Sequence, residues 1–158
     1  MSGVLCDRRV PIKLKSKVHK AVVRPALMYG LEAGPLKKIE EKKLDVTEMK
    51  MLRWMMGVTK SERIKNDYIR GTAKVVEISK KIQEARLRWF GHLKRRVGEE
   101  HVGRETMEME VVGTRKRGRP YTRWNDVINR DIREKNIYQD MVYDRRVWKR
   151  LINNGDPE

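Results

Sequence analysis

Cysteine is nearly missing from this chain. Cys6 stands alone in 158 residues, which excludes an internal disulfide framework and a zinc site built on cysteines. A single thiol fits an intracellular compartment, nuclear or cytoplasmic. Long apolar runs are also missing: none approaches the roughly 20 residues that a membrane span needs. The N-terminus lacks the apolar core of a secretory signal. No two aspartates are adjacent, so the paired carboxylates that hold two metal ions in nucleotidyl transfer are not in evidence. Neither a glycine-rich phosphate loop nor a cysteine or serine nucleophile in a recognisable setting occurs. His19, His92 and His101 have no ligand partners at helical or turn spacing, so no metal ion and no cofactor is expected. These absences argue against catalysis by the chain alone.

Positive charge is abundant. The chain has 38 Lys and Arg against 22 Asp and Glu, a net charge of +16. Such an excess implies an acidic partner, first of all nucleic acid and less often an anionic membrane. Charged residues make up 38% and hydrophobic ones 39%, with mean hydropathy −0.78. That balance lies near the border between globular and partly disordered chains, so some loose segments are expected. Basic and acidic groups number 18 and 9 over residues 1–79, 13 and 6 over 80–124, and 7 and 7 over 125–158. The last stretch is neutral, which directs the search for a binding surface upstream of it.

Residues 78–96, ISKKIQEARLRWFGHLKRR, combine a helical apolar seam with dense positive charge. Ile82, Ala85, Trp89 and Leu93 recur at helical spacing and are expected to face a core, with Arg86, Arg88, Lys94, Arg95 and Arg96 around the rest. From Arg86 to Arg96 there are five basic residues and no acid. A solvated helix face would read the same way, but a second five-charge cluster follows: Arg115, Lys116, Arg117, Arg119 and Arg123, again without an acid.

The expected architecture is mainly α: a helical bundle with a basic, partly disordered loop and a C-terminal helical pair. Residues 1–13 read as an extended segment interrupted by Pro11, and 14–96 as a helical domain in which Pro25 divides or kinks the first helix. A stronger helix runs from Leu36 to about Gly57, with Leu44, Met51 and Met55 inward, widened by Met49, Leu52 and Trp54. The T-x-x-E pattern of Thr59 and Glu62 predicts a capping box opening a helix that ends by Gly71. Val75 to Ile78 form a β-prone joint, and Ser79 is placed to cap the basic helix. Residues 97–120 form a basic flexible linker, within which MEMEVVG at 107–113 alternates like a strand. Residues 121–158 form the helical pair. Pro120 suits the first position of its first helix, which buries Trp124, Val127, Ile128 and Ile132. A last helix from about Tyr138 to Asn153 buries Met141, the Arg145 stem, Trp148 and Ile152. Asp126, Asp131, Asp140 and Asp144 are explained by ion pairing on these helices.

RKRGRP, Arg115 to Pro120, resembles the core of an AT-hook, in which arginines follow a narrow minor groove. Tyr121 stands where that motif usually has a basic residue. A disordered basic linker, a helix start or a nuclear import signal fit the same residues. The tryptophans at 54, 89, 124 and 148 could stack on unpaired bases, but their helical spacing favours core packing.

Four phrases carry a family resemblance: VVRPALMYGLEAGPL at 22–36, KMLRWMMGVTKSERIKNDYIR at 50–70, EARLRWFGHLKRR at 84–96 and GRPYTRW at 118–124. Their order and spacing resemble the C-terminal part of reverse transcriptases from animal non-LTR, LINE-type, retrotransposons, from about Leu14 onward. In that family these segments follow the catalytic palm and form the thumb and the basic region beyond it. The resemblance implies a helical thumb-like module that grips template RNA, target DNA or their hybrid. It does not imply activity here, since the aromatic-led Asp-Asp motif of the palm is absent. Ala33-Gly34 replaces the tryptophan common after the Tyr-Gly-x-Glu phrase, and the Cys-His knuckle of some relatives has no counterpart.

The expected function is therefore nucleic-acid binding through phosphate contacts, with no membrane partner and no small-molecule substrate. The rival readings are one piece of an active RNA-directed DNA polymerase, and a helical remnant or protein-interaction module. The expected binding residues are Arg86, Arg88, Lys94, Arg95, Arg96, Arg115, Lys116, Arg117, Arg119 and Arg123.

Overall fold

Proline and left-handed backbone positions decide where the helices of this chain break. The structure, a computed structural model, describes residues 2–96, 102–103, 105, 109, 118 and 122–157. Its architecture is mainly helical, as expected, and no strand occurs among the described residues. The 107–113 stretch lies outside them apart from Met109. The chain divides into two compact units. The first comprises Met1–Tyr29, Lys38–Ile82 and Asn154–Glu158, the second Gly30–Lys37 and Gln83–Asn153. This partition does not coincide with the expected boundary at residue 96.

The first unit begins with α1 (Ser2–Cys6), where an extended segment was expected. Its Leu5 is buried in the unit's apolar cluster, and that burial outweighs the β-prone sequence. Pro11 precedes α2 (Ile12–Val18). The chain then widens into a π turn over His19–Val23 before α3 (Arg24–Met28). Pro25 supplies no N–H for the carbonyl four residues earlier, so the helix rearranges upstream of it instead of stopping. α4 (Lys38–Met56) ends where expected, at Gly57 with φ +68, a left-handed stop that glycine adopts without strain. Its buried positions are Glu48, Met49, Leu52 and Met55, whereas Trp54 is 53% exposed.

The expected helix at Thr59 is displaced to α5 (Asn66–Ala73). Glu62 does accept the Thr59 N–H at 3.3 Å, but Arg63 adopts φ +52, which helix cannot continue through. The Arg53 guanidinium from α4 donates to the Ile64 carbonyl at 2.7 Å and Asn66 Oδ1 at 2.9 Å. These bonds hold the segment as a turn. Leu5, Met49, Leu52, Met55, Ile69, Ala73 and Val75 form the core of this unit.

A buried carboxylate organises the polar side of that core. Glu48 accepts from Arg24 Nη2 at 2.9 Å, Arg70 Nη1 at 2.8 Å and the Ile78 N–H at 3.0 Å. The Ile78 contact opens α6 (Ile78–Arg95), and Asp45 accepts the Ser79 N–H at 3.1 Å. Two α4 carboxylates thus cap α6, where Ser79 was expected to do so. Arg24 also donates to Asp156 at 2.9 Å, and Asp156 accepts the Val76 N–H at 2.9 Å. Burial pushes the Asp156 carboxyl up, but the Val76 hydrogen bond and the Arg24 and Lys20 charges outweigh it and hold the group below its ordinary value.

The second unit packs the later part of α6 with α7 (Trp124–Glu134), a 3₁₀ turn at Gln139–Tyr143 and α8 (Arg145–Ile152). Leu87, Phe90, Ile128, Ile132, Ile137, Val142, Trp148 and Ile152 form its core, with Trp124 packed against it. Met141 and Arg145, expected inward, are exposed. Asp144 divides the expected single helix by accepting the Arg146 and Val147 N–H groups at 2.9 and 3.0 Å, an N-cap that starts α8 afresh.

Gly91 has a packing role that its modest helix propensity conceals. The Trp148 indole lies on α6 and donates to the Leu87 carbonyl at 3.0 Å. A Cβ built on Gly91 would fall 2.5 Å from Trp148 Nε1 and 2.8 Å from Arg95 Nη1. Gly91→Ala should therefore destabilise by about 1–3 kcal/mol through overpacking, despite a propensity gain of about 1 kcal/mol. A thermal melt checks the sign, and a higher midpoint would contradict the contact.

Candidate nucleic-acid interface

The direction of each side chain on α6 follows from which face the core takes. Ile82, Arg86, Leu87, Phe90 and Leu93 are buried, whereas Trp89 is 38% exposed. Ile82 and Leu93 are inward as expected, but Arg86, Leu87 and Phe90 take the rest of the buried face and Trp89 is left at its margin. This packing changes the fate of several predicted binding residues.

Arg86, expected to meet phosphate, is 1% exposed. Its Nε donates to Asp131 Oδ2 of α7 at 2.8 Å. A guanidinium held in this way ties helices together and is not available to a ligand. Arg88 does face outward. Its side chain is 63% exposed and is paired with Glu84 one turn earlier. Lys94 and Arg95 are half-buried and Arg96 is exposed. Arg95 Nη1 donates to the Val142 carbonyl at 2.7 Å. Burial, and then the charge of Arg145, lower its pKa from the ordinary guanidinium value. Arg123 is exposed just before α7. Its backbone N–H is accepted by Asp126 at 2.9 Å, leaving the carboxylate to cap the helix. Arg115, Lys116, Arg117 and Arg119, with the AT-hook-like stretch, lie outside the described residues.

A basic surface that the charge count concealed appears on α8. Arg145, Arg146, Lys149 and Arg150 are all exposed. Their i, i+1, i+4, i+5 spacing gathers them within about 140° of the helix surface, with Arg145 bordering the buried stripe of Trp148 and Ile152. The helix contains no acid. The segment is neutral in sum, but three of its aspartates are committed: Asp126 caps α7, Asp144 caps α8 itself, and Asp131 binds Arg86. A six-residue window over RRVWKR would have revealed the patch where a 34-residue sum averaged it away. The second unit therefore presents Arg88, Arg96, Arg123 and the four α8 cations at its surface. Exposed guanidinium and ammonium groups are of the kind that pair with phosphates by charge and hydrogen bonds.

The tryptophans divide evenly. Trp148 is buried, and Trp124 packs beside it, with its Nε1 donating to the Glu32 carbonyl at 2.9 Å. Trp54 and Trp89 reach solvent, so the expectation of core packing fails for these two. Among the described residues no three His, Cys, Asp or Glu gather as a metal site, and no helix is long and apolar enough to cross a membrane.

No protein-family model matches the chain, and no solved structure does. A putative uncharacterized transposon-derived protein of Caenorhabditis elegans is 24% identical over 154 residues, covering 90% of this chain and 55% of that protein. The chain thus spans little more than half the length of the curated relative, and the similarity suggests a transposon origin.

Proposed function

We propose that the second unit grips the sugar-phosphate backbone of nucleic acid, as a thumb-region fragment of a LINE-type reverse transcriptase without catalysis of its own. The observation that carries this reading is α8, eight residues with four exposed cations and no acid. Arg88, Arg96 and Arg123 of the same unit are exposed as well, with Arg88 paired to Glu84. The similarity to a transposon-derived protein supports the reading by source, and the four sequence phrases support it by resemblance. Because the matched relative is longer than this chain, a second reading makes the chain one part of a larger polymerase whose catalytic residues lie outside these 158.

Phosphate-dominated binding carries a quantitative signature. Each neutralised phosphate contributes about 0.7–0.9 to the slope of log affinity against log salt. Replacing Arg145, Arg146, Lys149 and Arg150 with glutamine should flatten that slope by about 3 and weaken all sequences alike. Fluorescence anisotropy with an RNA–DNA hybrid over a salt series measures both. Salt-insensitive binding, or no binding at low salt, would refute the proposal.

A further inference from the structure

Trp89 is 38% exposed at the margin of a helix face that buries Ile82, Leu87, Phe90 and Leu93. Exposing a large indole is unfavourable in a soluble protein unless it has something to meet. Trp89 belongs to neither apolar cluster. It stacks instead on His92, with ring centroids 5.4 Å apart and planes inclined by 23°. Arg88 precedes the indole and His92 lies one turn further on, both exposed. Arg96, also exposed, follows one turn after His92. Positions 88, 89 and 92 fall within about 100° of the α6 surface, and Arg96 follows directly after the helix ends. The helix thus presents two nearly parallel rings bracketed by cations.

From this juxtaposition we infer that the Trp89–His92 pair is a stacking platform for an unpaired base of single-stranded nucleic acid, whose flanking phosphates meet Arg88 and Arg96. The inference rests on the proposed nucleic-acid binding and names the form of the polymer. A flat aromatic face accepts any base, since every base offers a π face, and the neighbouring cations hold the strand. A base paired within a duplex cannot lie on such a face without leaving its stack. The platform therefore favours an unpaired strand, where the α8 cations alone accept either form. Charge complementarity decides the occupant: Arg88, Lys94, Arg95 and Arg96 outnumber Glu84, the acid paired with Arg88, which suits a polyanion and disfavours a second copy of this basic chain.

The full chain is titrated by fluorescence anisotropy with a 20-nucleotide oligo(U), a 20-nucleotide oligo(dT) and a 20-base-pair DNA duplex. Trp89→Ala should weaken both single strands on the order of tenfold while leaving their salt slopes and the duplex affinity unchanged. Trp89→Phe should keep most of the affinity. Comparing oligo(U) with oligo(dT) tells which strand chemistry the platform prefers. As a measurement that does not depend on a variant folding, irradiation of wild-type protein with 5-iodouracil-substituted oligo(U) should crosslink Trp89 or His92. Unchanged single-strand affinity in Trp89→Ala, or crosslinks confined to other peptides, would overturn the platform and leave phosphate binding standing. Failure of every polymer to bind at low salt would overturn both readings. A self-associated wild type made monomeric by Trp89→Ala would assign the ring to a second copy, against the inference.

Discussion

Replacing Glu48 with alanine is expected to lower the stability of the first unit by about 3–5 kcal/mol, the cost of removing one partner from a buried ion pair. Glu48 is fully buried and neutralises both Arg24 and Arg70. Alanine would leave the 5%-exposed Arg24 side chain with Asp156 as its remaining carboxylate partner and would strand Arg70 against the core. The same carboxylate holds the Ile78 N–H, so the start of α6 would fray as the core loosens. For a unit of this size the loss corresponds to a fall in melting temperature of about 12–40 °C. Glu48→Gln should lose less, because an amide still accepts hydrogen bonds but no longer balances two guanidiniums. Circular dichroism melts of the two variants give the ordering. A midpoint within a degree of wild type for Glu48→Ala would show that the three donors do not converge on this residue.

What the sequence made legible was periodicity, and what it hid was partnership. The helical class and the end of α4 at Gly57 follow from local pattern, as do the buried positions Val127, Ile128 and Ile132 of α7 and Trp148 and Ile152 of α8. Periodicity places Ile82 and Leu93 of α6 correctly but treats Arg86 as polar surface, whereas Asp131, 45 residues away, makes it a core residue. Arg86 takes a buried place on the inward face while Trp89, at its margin, stays 38% exposed. Of the reciprocal box expected at Thr59 only the Glu62 half forms and no helix opens there, because Arg53 captures the following turn from outside it. Ser79 seemed the natural cap until Asp45 and Glu48, more than 29 residues earlier, took the amides. Local rules ranked these candidates properly, and long-range carboxylates and guanidiniums then decided among them. The binding surface shows the same logic. Arg88, Arg96 and Arg123 remain exposed, Arg86 does not, and the α8 cations emerge because their acidic neighbours are committed to caps and internal pairs.

Arg86→Ala should unfold the second unit more readily, by about 3–5 kcal/mol, and Asp131→Ala should do the same. Each leaves one charge buried where both side chains are 1% exposed. The pair distinguishes two explanations of any binding defect at this position. If Arg86 touched nucleic acid, its removal would weaken binding under conditions where the protein remains folded. If it only joins α6 to α7, the defect should track unfolding. The double variant Arg86→Met with Asp131→Leu separates them, because it removes both charges and fills the site with apolar groups. Such replacements of buried ion pairs are often neutral or stabilising, by about 1–4 kcal/mol. The double variant should therefore recover most of the melting temperature lost by either single change and bind an RNA–DNA hybrid as wild type does. Restored stability with binding still lost would return Arg86 to the ligand-contacting set and would require its guanidinium to leave Asp131 when nucleic acid arrives.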